Sequence, residues 1–99
     1  MSELNKWSAE KVGLTVYADE GRIKILTIPK DWAFDESEWT LSDARCREIV
    51  REYFKIHTNQ MLSGDVICGA HPYGGEFIGK SIAEAEIACI KAIMEAENE

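Results

Sequence analysis

What this sequence lacks narrows it first. No apolar run exceeds five residues, far short of the ~20 that a membrane-crossing helix needs. The opening Met-Ser-Glu-Leu-Asn-Lys carries no apolar core of the kind a secretory signal requires. A cytoplasmic protein without membrane association is therefore expected. There is no C-x-x-C pair and no His/Cys cluster, so neither a zinc site nor a disulfide framework is signalled. The three cysteines, Cys46, Cys68 and Cys89, each sit in an apolar stretch and read as buried free thiols. Bases are scarce: 11 Lys and Arg stand against 18 Asp and Glu, a net charge of −7. That balance disfavours a direct grip on nucleic acid, where Lys and Arg supply most of the affinity for phosphates. It equally disfavours anionic membrane surfaces, and it suits a partner that is itself basic. Repeats and low-complexity segments are missing too.

What is present fits one folded domain over residues 1–99. The hydrophobic fraction of 45% is ordinary for a globular chain. A helix is predicted over 3–12, with Ser2 as N-cap and Leu4, Trp7 and Lys11 on one face. Gly13 stops it. Two β-rich runs, 14–17 and 23–28, flank the turn residues Asp19-Glu20-Gly21 and predict a hairpin. Pro29 closes the second run. A connection over 30–40 leads to a helix entered at Thr40 or Ser42 and running to about Ile56. Its apolar positions are Cys46, Ile49, Val50, Tyr53 and Phe54. The segment 59–64 reads as a loop, and 66–68 and 77–78 as strands either side of a turn at 70–75. Ser81-Ile82-Ala83-Glu84 forms a capping box for a last helix to about Ala96. The order α-β-β-α-β-β-α predicts an α+β sandwich, a mostly antiparallel sheet covered by helices. The two hairpins can share one four-stranded sheet.

One string spells a phosphate-binding P-loop: Gly74, four residues, then Gly79-Lys80-Ser81. That chemistry needs glycine amides around the phosphates, a lysine for the terminal oxygens, a hydroxyl for magnesium and a helix behind. Only 18 residues follow Ser81, too few for the parallel strands that carry the acidic magnesium partner. Glu76-Phe77-Ile78 is acidic and apolar where a phosphate loop wants small residues. A turn at Gly74, a strand through Phe77 and Ile78 and a cap at Ser81 explain the letters better. Lys80 alone has no structural task.

A second constellation is the acidic, aromatic segment 31–43. Asp31, Asp35, Glu36, Glu38 and Asp43 are interleaved with Trp32, Phe34 and Trp39. These residues can form a patch with aromatic anchors for a basic partner surface. The competing reading buries the rings and leaves the acids in water near a helix N-terminus, where negative charge is favoured. The spacing is not that of a calcium loop. His57 and His71 have no spacing to Cys68 or Asp65 that suggests a catalytic pair, so no enzymatic activity, metal or cofactor is implied. The stripe Arg47, Arg51, Lys55 alternates with Glu48 and Glu52 and reads as a solvated, self-paired helix face.

Several strings resemble a known family. Ala9-Glu10-Lys11-Val12-Gly13-Leu14-Thr15-Val16 is similar to the helix-to-strand opening of the phage ABA sandwich domain. The Trp-, Asp- and Ser-containing approach to the middle helix, 35–44, is similar as well, as is Ser81-Ile82-Ala83-Glu84-Ala85 with Cys89 and Ala92. The resemblance implies a sandwich of helices and sheet in a small phage or prophage accessory protein, with no catalytic residues to transfer. Together with the acidity it points to a non-enzymatic protein that occupies a basic surface of a host or phage protein. A counter-defence inhibitor or nucleic-acid mimic contacting through 31–43 fits that description. The alternatives are nucleotide binding through Gly74, Gly79, Lys80 and Ser81, and a structural module that self-associates.

Overall fold

The computed structural model describes residues 2–70 and 76–98. Helix α1 (Ser2–Lys11) presents Leu4 and Ala9 to the core, and Gly13, at φ +107°, turns the chain into the first strand. That strand, β1 (Thr15–Asp19), pairs antiparallel with β2 (Arg22–Thr27), ending in the register Asp19↔Arg22. The two turn residues, Glu20 and Gly21, both have positive φ. This is the left-handed pair that matches the twist of a two-residue hairpin. The predicted hairpin is thus present.

The sheet differs from expectation in two places. The chain returns after Pro29 to add a two-residue strand, β3 (Glu38–Trp39), to the open edge of β2 through Ile23↔Trp39 and Lys24↔Glu38. Further on, α2 (Ala44–Phe54) stops because Lys55 takes a left-handed conformation, φ 56°, and its amide donates to the Arg51 carbonyl. The chain then leaves as β4 (His57–Gln60), a strand that takes in the start of the loop predicted over 59–64. This strand pairs antiparallel with β5 (Val66–Gly69), which pairs with β6 (Phe77–Gly79). Two three-stranded antiparallel sheets, β1-β2-β3 and β4-β5-β6, replace the single four-stranded one.

The last helix, α3 (Ile82–Glu97), begins at Ser81, whose hydroxyl accepts from the Glu84 amide at 3.1 Å as the capping box requires. It packs on β5 and β6, while α1 packs on the first sheet, and α3 touches both other helices. One hydrophobic cluster runs through these contacts and includes Leu41, Val50, Ile90 and all three cysteines, which are free and buried. The buried polar groups are satisfied within it. The Trp39 indole donates to the Ser8 hydroxyl at 3.0 Å, Ser8 donates to the Asn5 carbonyl, and the Leu41 amide donates to Asn5 Oδ1. The fold is α+β, as the sequence predicts.

Candidate interaction groove

Asp43 fixes the start of α2: extended at φ −86°, ψ 126°, it accepts from the Arg45 amide at 2.8 Å. From there the helix divides its faces. Cys46, Val50 and Phe54 turn into the core, and Arg47 turns inward as well, only 7% exposed. Its Nε donates to Glu86 at 3.1 Å, and its Nη1 donates to the carbonyls of Leu41 and Ser42. Arg51 donates to the other Glu86 oxygen at 3.0 Å. This hydrogen bond comes first among the causes that raise the Arg51 pKa. The predicted self-paired stripe is therefore corrected: two of its cations, Arg47 and Arg51, are drawn to a buried carboxylate on α3, while Lys55, exposed, caps α2. Among the described residues no ion pair is left for Glu48 and Glu52, both exposed.

The next face of α2 carries Ile49 and Tyr53, one helical turn apart and only partly covered, with Tyr53 55% exposed. Opposite them lies the segment 29–37. It turns tightly where the Trp32 amide donates to the Pro29 carbonyl, and it is tied back where the Ile25 amide donates to the Ser37 carbonyl at 2.9 Å. Phe34 is held edge-on to Trp39 with ring centroids 5.9 Å apart, and Glu36 pairs with Arg45. Between helix and segment lies a groove of about 600 Å³. Val12, Trp32, Phe34, Ile49 and Tyr53 supply its apolar surface, and Glu48, Glu52 and Arg45 its charged side chains.

The acidic, aromatic segment is thus split by the fold. Trp32 lines the groove, and Asp31 and Asp35 are exposed beside it in sequence. Trp39 has no exposed surface and belongs to the core, so it is no surface anchor. Glu38 accepts from Lys24 at 3.2 Å and faces Arg22 at 3.6 Å. Glu36 and Asp43 are engaged with Arg45, and Asp43 also caps α2. Ile49, Tyr53, Glu48 and Glu52 are additions that the sequence pattern assigned elsewhere. Only their position one step round from the core-facing residues of α2 distinguishes them.

Two of the P-loop letters, Gly79 and Ser81, have structural roles, and Gly74 and His71 lie outside the described residues. Phe77, Ile78 and Gly79 pair with Cys68, Ile67 and Val66 in an antiparallel ladder, extended backbone that cannot curl around a phosphate. Gly79 is required by packing, because a Cβ there would stand 2.7 Å from the Ala85 backbone nitrogen. Ser81 is the helix cap. Lys80 is exposed and, with Ser81, Thr58 and Gln60, borders a smaller hollow of about 350 Å³.

Burial pushes the thiols of Cys46 and Cys68 up from their ordinary pKa, and that of Cys89 up to about 11. This is the reverse of what a nucleophilic cysteine needs. Among the described residues no group of His, Cys, Asp and Glu is placed to hold a metal ion, and no helix is long and apolar enough to cross a membrane. The chain matches no protein-family model, no curated protein and no solved structure.

Proposed function

We propose that this chain is a non-enzymatic binding protein that occupies a basic surface of a partner protein through the groove between α2 and the 29–37 segment. One observation carries the reading: a partly exposed aromatic and aliphatic surface is bordered by Glu48 and Glu52, which have no ion pair among the described residues, while Arg47 and Arg51 are bonded to Glu86 and Arg45 to Glu36 and Asp43. Apolar anchors supply affinity at such a surface, and the carboxylates select cationic partners. Asp31 and Asp35 extend the same sign of charge along the segment. The residues that resemble the phage ABA sandwich family make the partner a host or phage protein met in the cytoplasm, and they make counter-defence inhibition a suitable biological role. A sandwich arrangement of the helices and two sheets belongs to the same proposal.

The test is a selection of linear random peptides displayed against the whole protein. Enriched peptides are expected to combine Lys or Arg with large apolar residues and to weaken steeply as salt rises. Binding should fall about tenfold or more to Trp32→Ala, and likewise to Glu48→Lys with Glu52→Lys. Enriched peptides that ignore salt and bind these variants unchanged would sink the reading.

A further inference from the structure

We infer that β1 is a self-association edge, at which two copies of this chain join their β1 strands antiparallel with Tyr17 on the two-fold axis. This edge is separate from the groove, and the inference stands without it.

Backbone accounting locates the open groups. β1 is bonded on one side only, and four of its five residues are exposed. Its partner strand fixes which groups point outward. The Ile25 amide is turned away from β1, because it donates to the Ser37 carbonyl on the β3 side of β2. Ile25 and Val16, which face each other, are therefore a non-hydrogen-bonded pair. By alternation so are Ile23 and Ala18, and the amides and carbonyls of Val16 and Ala18 point off the edge of the sheet. Among the described residues no hydrogen bond reaches them there. Leu14, the preceding outward position, has its amide satisfied by the Ala9 carbonyl at 3.0 Å. Beyond the other end Glu20 has left the strand, at φ 50°. The open stretch is thus centred on Tyr17.

That symmetry selects the occupant. An antiparallel copy of the same strand, with Tyr17 facing Tyr17, sets Val16 against Ala18 of the second copy and Ala18 against its Val16. Every open group then gains a partner, because each such pair exchanges both N–H···O bonds. Moving the axis to Val16 or Ala18 sets open groups against Leu14, whose amide is spent, or against Glu20 in the turn. The charges agree. Asp19, the one charged residue of β1, falls opposite Thr15, so no like charges oppose across the axis. Neither Lys nor Pro guards the strand, as open edges commonly require.

Side chains distinguish β1 from the edge of comparable length. β4 is also bonded on one side only, but His57, Thr58, Asn59 and Gln60 would bring only polar groups together. Backbone bonds exchanged for bonds to water add little by themselves. On β1 the axis sets two tyrosine rings side by side, each 49% exposed, and Leu26, 68% exposed, lies on the neighbouring strand. Aromatic cross-strand pairs reinforce the backbone bonds. A single strand pair is smaller than a standard protein interface, so a reversible dimer with a Kd of about 10–100 μM is expected.

Sedimentation of the full chain over a range of concentrations tests the pairing, together with cysteine cross-linking. The native cysteines are buried, so an added surface cysteine reports alone. Across the axis the Tyr17 Cα atoms stand about 4.5 Å apart, within disulfide reach. Those of Thr15 stand about 13 Å apart along the strand, beyond it. Under mild oxidation Tyr17→Cys is expected to form a disulfide dimer at least about tenfold faster than Thr15→Cys. Tyr17→Lys sets like charges on the axis, and Ala18→Pro removes an outward amide that bonds nothing in the monomer. Each should weaken the dimer at least about tenfold. Should Ala18→Pro fail to fold, Tyr17→Lys, at an exposed side chain, carries the comparison. A parent that stays monomeric at about 1 mM overturns the inference. So does a dimer that Tyr17→Lys leaves intact, that cross-links equally fast at both positions, or that dissociates instead on Trp32→Ala in the groove.

Discussion

Glu86 holds a position that few carboxylates occupy. Its side chain is 2% exposed, and its oxygens accept from Arg47 at 3.1 Å, Arg51 at 3.0 Å and the Thr58 hydroxyl at 3.1 Å. Arg47 is nearly as deeply buried, so each charge depends on the other for its place in the interior. Such a pair is a weak net source of stability, because desolvation offsets most of the attraction. Removing one partner is another matter. Glu86→Ala leaves a guanidinium in the interior without its counter-charge and is expected to destabilise the fold by about 3–5 kcal/mol. Glu86→Gln, which keeps an acceptor oxygen, should lose less. Urea unfolding of the two variants beside the parent measures both, and equal stability of all three would show that Arg47 reaches water. The pair also bears on the groove. It takes Arg47 into the interior and turns Arg51 toward α3, which leaves Glu48 and Glu52 without an ion pair among the described residues.

The β6–α3 junction shows how tightly two elements can constrain one residue. Gly79 ends a strand and lies directly under the first turn of α3, where an added methyl would collide with backbone atoms of Ala85. Backbone cannot swing aside as a side-chain tip can. Gly79→Ala is therefore expected to destabilise by about 1–3 kcal/mol, read as a lower urea midpoint. Lys80→Ala, next in sequence but exposed, should stay within about 0.5 kcal/mol of the parent.

The elements also differ in how far the sequence announces them. The three helices and the first hairpin were legible because their apolar residues recur at the helical or strand period and their turns carry Gly. Two strands were not. His57–Gln60 has no apolar alternation, and only its pairing with β5 makes it a strand. Glu38–Trp39 is two residues long and exists because the edge of β2 is open to it. The groove was half legible. Trp32, Asp31 and Asp35 were marked by composition, but Trp32 and Trp39 cannot be told apart as strings. What each ring meets, the half-open groove for Trp32 or Ser8 for Trp39, is fixed by tertiary contacts alone. Tyr53 and Ile49 share the spacing of the α2 core residues, so periodicity counted them with the interior.

At the scale of the whole molecule, the three buried thiols link global stability to pH. Cys89 titrates near 9 when unfolded and is pushed up to about 11 in the fold, first by burial and then by the neighbouring Cys68 and Glu86. Below pH 9 it is protonated in both states and adds no pH dependence. Between 9 and 11 the unfolded chain releases a proton that the folded chain keeps, so stability falls as pH rises. Two pH units correspond to about 3 kcal/mol. Cys46 and Cys68 shift in the same direction and add to the slope. Urea unfolding from pH 8.5 to 11 should show this decline, with a visibly shallower slope in Cys89→Ala. A slope unchanged by that substitution would mean that the Cys89 thiol is not held from water.

The buried ion pair has one more consequence, and it concerns time. Arg47 and Glu86 are 39 residues apart in the chain. At ordinary rates of synthesis, Glu86 follows Arg47 by about 2–8 s. Throughout that interval α2 can form and cap itself, yet the carboxylate that allows Arg47 into the interior does not exist. Arg51 and Thr58 wait on the same residue. A nascent chain therefore cannot close its core stepwise from the N-terminus; closure awaits α3, which brings the charge that the earlier segments need.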